Sequence, residues 1–174
     1  DGTTGLLDAA ESAHRDILEA QKTSASLRQM ATTLTAGVFT DRGLAGVHCG
    51  DSRASIARAK GIKRLTIDHS EGERLFRAGK LTREEFDDYP RKNILDSALG
   101  SHERPKIETF EFALLPGDKV FFTSDGVHGK VMLREMRDIS EKHMNASSFV
   151  EEVVKVVRQR SPNDNFSILA VFVY

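Results

Sequence analysis

The run Lys119-Val-Phe-Phe-Thr-Ser-Asp-Gly126 joins an apolar strand to an acidic turn, and the chain uses the same combination elsewhere. Asn163-Asp164-Asn165 lies directly before the apolar run Phe166–Tyr174. A carboxylate at the end of a buried strand costs free energy unless it is hydrogen-bonded or paired with a cation. Two such carboxylates from distant parts of one chain are typical of a metal site with oxygen ligands.

The composition of the 174 residues is typical of one globular domain with a sizeable core. The net charge of −1 gives no reason to expect nucleic acid or an anionic membrane as a partner. Cys49 is the single cysteine, which excludes an internal disulfide, and its apolar neighbours predict a buried, inert thiol. No membrane span or signal peptide is recognisable, so we expect a cytoplasmic protein, and a monomer.

The first part of the chain predicts a helix followed by antiparallel strands. Apolar residues within 6–22 recur at helical spacing, with charged residues opposite them. Asp41-Arg42-Gly43 is a turn sequence and predicts a hairpin between the strands on either side. Strands are predicted at 31–39, 44–49, 54–59 and 63–67.

The segment 68–100 is more polar and predicts an insertion on the surface with two short helices, 70–78 and 82–89. Thr82 and Glu85 have the spacing of a helix N-cap and its partner glutamate. Further elements are predicted as strands at 109–114 and 119–123, helices at 132–143 and 147–160, and a last strand at the C-terminal end. The second of these helices has a valine-rich face at 149–157, which we expect to lie in the core. Because this last strand is apolar on both faces, we expect it to be central in its sheet.

Strands occur near both ends of the chain, and helices come before and after them instead of alternating with them. This order argues against a doubly wound parallel sheet. It favours a layered α+β domain.

Six short motifs follow one another in a fixed order along the chain: Met30-Ala-Thr-Thr33, Gly50-Asp-Ser-Arg53, Thr66-Ile-Asp-His-Ser70, Leu115-Pro-Gly-Asp118, Ser124-Asp-Gly126 and Asn163-Asp-Asn165. Together they resemble the bacterial form of the metal-dependent serine/threonine phosphatases of type 2C, the PPM family. The resemblance runs from about residue 6 to the C-terminus and includes a stretch, 78–82, similar to the family's mobile flap. It implies an αββα sandwich of two antiparallel sheets flanked by helices. Residues 1–174 would form a single phosphatase-like domain, with 68–100 as a flap-like insertion.

The resemblance also implies a reaction and a cofactor: hydrolysis of phosphoserine and phosphothreonine in proteins by a metal-bridged hydroxide, with two or three Mn²⁺ or Mg²⁺ ions. Asp125 and Asp164 match metal ligands of the family, and Asp68 matches an aspartate that helps hold a third metal. Asp51 would belong to a turn braced by Arg53. Phosphorylated proteins, possible substrates of a serine/threonine kinase, are the implied partners, and neither nucleic acid nor membrane is expected.

The start of the chain departs from the family pattern. The family begins with two strands that carry a phosphate-binding arginine and an acidic ligand, and an Asp-Gly turn then supplies a bridging aspartate. Asp1-Gly2-Thr3-Thr4-Gly5 resembles that turn, so Asp1 and Gly2 are candidate ligands. Leu6 stands where many members carry a histidine. The chain is therefore expected to be truncated at its N-terminus or degenerate, and a catalytically inactive pseudophosphatase that binds phosphoproteins remains the alternative.

Each candidate residue also has a purely structural interpretation. Asp125 and Asp164 could be turn residues, and Asp68 could cap the helix predicted at 70–78. His48 is expected to be a hydrogen-bonded core histidine. His69 and His128 flank the candidate aspartates, where a supporting position is favoured over a catalytic one.

Overall fold

The computed structural model describes residues 2–101 and 104–174, which form two compact units. In this part of the chain seven strands are present: β1 Leu34–Thr40, β2 Gly43–Cys49, β3 Arg53–Arg58, β4 Gly61–Arg64, β5 Glu108–Phe112, β6 Lys119–Thr123 and β7 Ile168–Phe172. The same residues form six α-helices: α1 Gly2–Thr23, α2 Glu71–Arg77, α3 Arg83–Asp88, α4 Asp125–His128, α5 Leu133–Glu141 and α6 Ala146–Gln159. None of these helices has the length and hydropathy needed to cross a bilayer.

The first unit comprises the chain up to Asp51 together with Ile67–Phe112 and contains an antiparallel sheet of order β1-β2-β5. The predicted hairpin between β1 and β2 is confirmed, because Thr40 pairs with Gly43 across the turn. Gly43 has a φ of 129°, a conformation that favours glycine. Helix α1 packs mainly on β2, the central strand.

The insertion predicted at 68–100 contributes α2 and α3 to the first unit. Ser70 caps α2, because its side chain accepts a hydrogen bond from the amide of Glu73. The capping box predicted from Thr82 and Glu85 is present at the start of α3. Both caps satisfy amides that have no partner within their own helix.

The second unit comprises Ser52–Thr66 and Ala113–Tyr174, and its antiparallel sheet has the order β4-β3-β6-β7. Helix α6 packs on β7, and α5 packs on β4 and α6. The valine-rich face predicted for α6 is confirmed, since Val153 and Val157 are fully buried. The ring of Phe149 stacks on Phe121 with 4.6 Å between ring centroids. The α+β class, with two antiparallel sheets and flanking helices, is therefore confirmed.

The prediction of a central position for the last strand is wrong. Among the described residues β7 pairs with β6 on one side only, and it ends the sheet. Ile168, Ala170 and Phe172 pack against the core of the unit, whereas the Leu169 side chain on the opposite face is 54 % exposed. An edge strand can therefore be apolar on both faces although only one face is buried.

Candidate metal site

The second unit places Asp125 and Asp164 at the same edge of its sheet. Strands β6 and β7 run antiparallel, and their pairing ends at Thr123 and Ile168. Asp125 follows β6 directly, and Asp164 lies in the turn that leads into β7. Antiparallel pairing thus brings together the turns that carry Asp125 and Asp164, which are 39 positions apart in the sequence.

Each carboxylate is oriented by the backbone of its own turn. Oδ1 of Asp125 accepts a hydrogen bond from the amide of Gly126 at 2.8 Å. Oδ1 of Asp164 accepts one from the amide of Asn165 at 2.7 Å. Asp125 is also the first residue of the short helix α4, an element that the sequence analysis missed because four residues are too few for a periodic pattern.

The expectation that these carboxylates lie where an unpaired charge costs free energy is wrong, because both side chains are exposed. Solvent can hydrate them, so they require no buried partner. Among the described residues neither carboxylate forms an ion pair with Lys, Arg or His. Carboxylate oxygens that are exposed and free of competing cations suit a hard divalent ion such as Mn²⁺ or Mg²⁺.

The described residues do not assemble a complete metal site from side chains alone. Within 2–101 and 104–174, no group of three or more His, Cys, Asp or Glu side chains has a geometry that could hold an ion. Asp125 and Asp164 therefore remain candidate ligands, and an ion bound by them would need further oxygen donors. Mg²⁺ commonly takes one or two protein carboxylates and fills its remaining positions with water or phosphate oxygens.

Asp68 belongs to the first unit, where it is only 9 % exposed. Its interpretation as a helix cap is excluded, because Ser70 fills that position for α2. A buried carboxylate that caps no helix remains a candidate ligand.

The segment that carries Asp68 is held by two buried histidines. The Nε2–H of His48 donates to the carbonyl of Ile67 at 2.9 Å, and its Nδ1 accepts from the hydroxyl of Thr35 at 2.9 Å. His48 is 1 % exposed, which confirms the prediction of a core histidine. Burial lowers the pKa of His48 to about 4, helped by the neighbouring His69, so the ring is neutral at pH 7.

His69 holds the other side of Asp68. Its Nδ1 accepts a hydrogen bond from the amide of Gly50 at 3.2 Å, and its own amide donates to the carbonyl of Gly50 at 2.7 Å. The Nε2–H therefore faces Glu108, 3.1 Å from its Oε2. His69 is buried and fully used by these contacts, so it supports the segment structurally.

Glu108 is a member of this cluster that the sequence analysis did not identify. Burial raises the pKa of this carboxyl, but hydrogen bonds from Lys106 and His69 outweigh that effect and lower the pKa overall. The only signal in the sequence was a charged residue directly before the strand predicted at 109–114. The other flanking histidine, His128, lies with its Nδ1 3.3 Å from the hydroxyl of Thr123, at the end of β6.

The turn expected at the start of the chain is wrong for the residues that the structure describes. Gly2 is the first residue of α1, and residues 2–5 are helical. Ala10 and His14 are the buried residues of this helix, which begins four residues before the predicted start at residue 6. Asp1 lies outside the described residues. The metal roles of Asp1 and Gly2 stay predictions.

Comparison with known proteins identifies the family. The family model described as protein phosphatase 2C matches residues 3–169. The serine/threonine phosphatase stp of Listeria welshimeri is 28 % identical over 97 % of this chain, which spans 71 % of that protein.

Solved structures agree with the family match. The serine/threonine phosphatase of S. agalactiae superposes with a TM-score of 0.90 at 27 % identity, covering 97 % of this chain and 69 % of its own. The catalytic domain of the phosphatase PstP, in complex with two manganese ions, superposes with a TM-score of 0.85 at 24 % identity, covering 100 % of this chain and 73 % of its own. Because the family model of protein phosphatase 2C matches nearly the whole chain, and the sheets and acidic turns agree with it, the chain belongs to the protein phosphatase 2C family.

Proposed function

We propose that this protein is a metal-dependent phosphatase that removes phosphate from phosphoserine and phosphothreonine in proteins. The observation that carries the proposal is the placement of Asp125 and Asp164 at one sheet edge in a chain of the protein phosphatase 2C family. The relatives named serine/threonine phosphatases support the substrate class.

Asp125 and Asp164 would hold the divalent ion, which we propose to be Mn²⁺ or Mg²⁺. Asp68 is the proposed ligand of a third ion, and Asp1 and Gly2 remain candidates for the rest of the site. The manganese ions of the PstP structure support this choice of cofactor. Such an ion, when bound, activates water and neutralises charge on the phosphoryl oxygens.

The chain's own residues supply position and charge. Each aspartate is fixed by an amide of its own turn, so the two carboxylates need little ordering when a cation binds. Both lie in solvent, where a phosphorylated side chain on another protein can reach them.

A mechanism with a cysteine nucleophile has no support. Cys49 is fully buried, and burial raises the pKa of its thiol, so little thiolate is present at neutral pH. Direct attack by water agrees with this arrangement. The comparisons give no support to an inactive pseudophosphatase, since the relatives described above are named as phosphatases.

The test is hydrolysis of p-nitrophenyl phosphate and of a phosphothreonine peptide with and without Mn²⁺. We expect Mn²⁺-dependent activity in the wild type and its loss in Asp125→Asn and Asp164→Asn. Asp41→Asn is the matched control, because Asp41 is an exposed turn aspartate in the β1–β2 hairpin. Activity that is unchanged in both site variants would refute the assignment of these ligands, and a wild type without Mn²⁺-dependent activity would refute the proposed function.

A further inference from the structure

Ser124 connects the two turns that carry Asp125 and Asp164. Its amide donates a hydrogen bond to the carbonyl of Ser167 at 3.0 Å. Its side-chain Oγ accepts one from the amide of Ser167 at 2.9 Å. One residue thus forms a reciprocal pair of bonds with the segment before β7.

A side-chain oxygen is needed here because the backbone carbonyl of Ser124 is already used. That carbonyl accepts hydrogen bonds from the amides of Val127 and His128, at 3.0 and 3.2 Å, as α4 begins. In a continuing strand pair the carbonyl would bond to Ser167 instead. The hydroxyl of Ser124 therefore extends the β6–β7 pairing by one residue while the main chain turns into α4.

The two turns also touch through their backbones at Gly126. A Cβ atom on Gly126 would lie 2.4 Å from the carbonyl oxygen of Asn165 and 2.9 Å from Cβ of Phe166. The absence of a side chain on Gly126 thus lets the turn of Asp164 lie directly against the turn of Asp125.

From these contacts we propose that Ser124 is a positioning residue that fixes the turn of Asp164 relative to Asp125. The local amide bonds set the orientation of each carboxylate, and the Ser124–Ser167 pair sets the spacing between their turns. The inference rests on the proposed function, because the spacing matters only where both aspartates bind one ion cluster. Groups that hydrogen-bond to a metal ligand typically contribute 10- to 100-fold to metal affinity. Ser124 bonds to the backbone beside the turn of Asp164 and not to the carboxylate, so we expect an effect at the lower end of this range.

Isothermal titration with Mn²⁺ tests the role of Ser124. We expect Ser124→Ala to bind Mn²⁺ about tenfold more weakly than wild type, and Ser124→Thr, which keeps the hydroxyl, to bind within about threefold of wild type. Ser24→Ala is the matched control. The Ser24 hydroxyl also accepts a hydrogen bond from a backbone amide, that of Ser26, but it belongs to the first unit, whereas the turns of Asp125 and Asp164 belong to the second. Hydrogen exchange should show faster exchange at the Ser167 amide in Ser124→Ala alone.

Three outcomes separate this inference from the proposed function. Equal Mn²⁺ affinity of Ser124→Ala and wild type, with loss of binding in Asp125→Asn, overturns the positioning role and leaves the function intact. A lower melting temperature of Ser124→Ala with unchanged affinity also overturns it, because a purely structural role has that signature. A wild type that binds no Mn²⁺ overturns the function and this inference together. If Ser124→Ala does not fold, equal affinities of folded Ser124→Thr and Ser124→Cys overturn the role, since a thiol is a weak acceptor.

Discussion

Acidification should destabilise the fold through His48 before it affects most carboxylates. The His48 ring is buried beside His69, with Asp68 and Glu108 as the nearby acidic groups. Its pKa is about 4 in the folded protein and about 6.5 when the ring is exposed to water. Between these values the unfolded chain binds a proton that the folded chain excludes, so stability falls as pH decreases through this window.

The size of the effect follows from the two pKa values. Proton linkage predicts that the free energy of unfolding falls by about 2 kcal/mol between pH 7 and pH 5 because of His48 alone. At pH 7 the unfolded chain binds few extra protons at this residue, so His48 causes almost no loss of stability there. The loss is therefore confined to pH values below about 6.5.

Urea unfolding followed by circular dichroism measures how the free energy of unfolding changes with pH. The wild type and His48→Gln would be unfolded in urea at half-unit steps from pH 7.5 to pH 5. Glutamine is chosen because its side-chain amide can still donate a hydrogen bond to the carbonyl of Ile67. We expect His48→Gln to be less stable at pH 7, because it loses the bond with Thr35, but to have a much flatter pH dependence. His143→Gln controls for the removal of a histidine outside the buried pair.

Two results would refute this account of His48. One is a wild-type stability that does not change between pH 7 and pH 5. The other is a His48→Gln variant whose stability falls as steeply as that of the wild type, which would place the titrating group elsewhere.

Three further substitutions test other parts of the structure. Phe149→Ala should lower the free energy of unfolding by about 4 kcal/mol in urea, because it leaves a cavity in the core of the second unit; a loss below about 1 kcal/mol would contradict this packing. Gly126→Ala should weaken Mn²⁺ binding in calorimetry, because its Cβ would collide with the carbonyl of Asn165. Gly61→Ala, whose Cβ would lie no closer than 3.5 Å to the carbonyl oxygen of Arg58, should leave binding unchanged; equal affinities of Gly126→Ala and the wild type would argue against close contact of the turns. Thr82→Ala should lower the free energy of unfolding by about 1 kcal/mol, because it removes the capping box of α3. A thermal melt measures this loss, and an unchanged melting temperature would show that the cap contributes nothing to stability.

Local patterns in the sequence predicted the parts of the fold that depend on neighbouring residues. The valine face of α6, the capping box at Thr82 and the turn at Gly43 all arise from a few adjacent side chains. The position of β7 in its sheet was predicted wrongly, because strand order depends on pairing between segments far apart in the chain. Burial on one face cannot be distinguished from burial on both when every residue of a strand is apolar.

The candidate site shows the same division. Asp125 and Asp164 could be proposed as ligands from the sequence because each lies beside an apolar run in a short motif. Glu108 could not, since its contact with His69 joins residues 39 positions apart. The exposure of the two aspartates could not be predicted from the sequence either, because it depends on which segments cover the sheet edge.

The most direct test of the central claim is a Mn²⁺ titration of the wild type against the double variant Asp125→Asn/Asp164→Asn. Calorimetry at pH 7.5, with circular dichroism to confirm that both proteins are folded, compares their affinities. The account predicts that the wild type binds Mn²⁺ and that the folded double variant binds it at least 100-fold more weakly, on the order of the loss of two charged ligands. Equal affinities of the two folded proteins would contradict it.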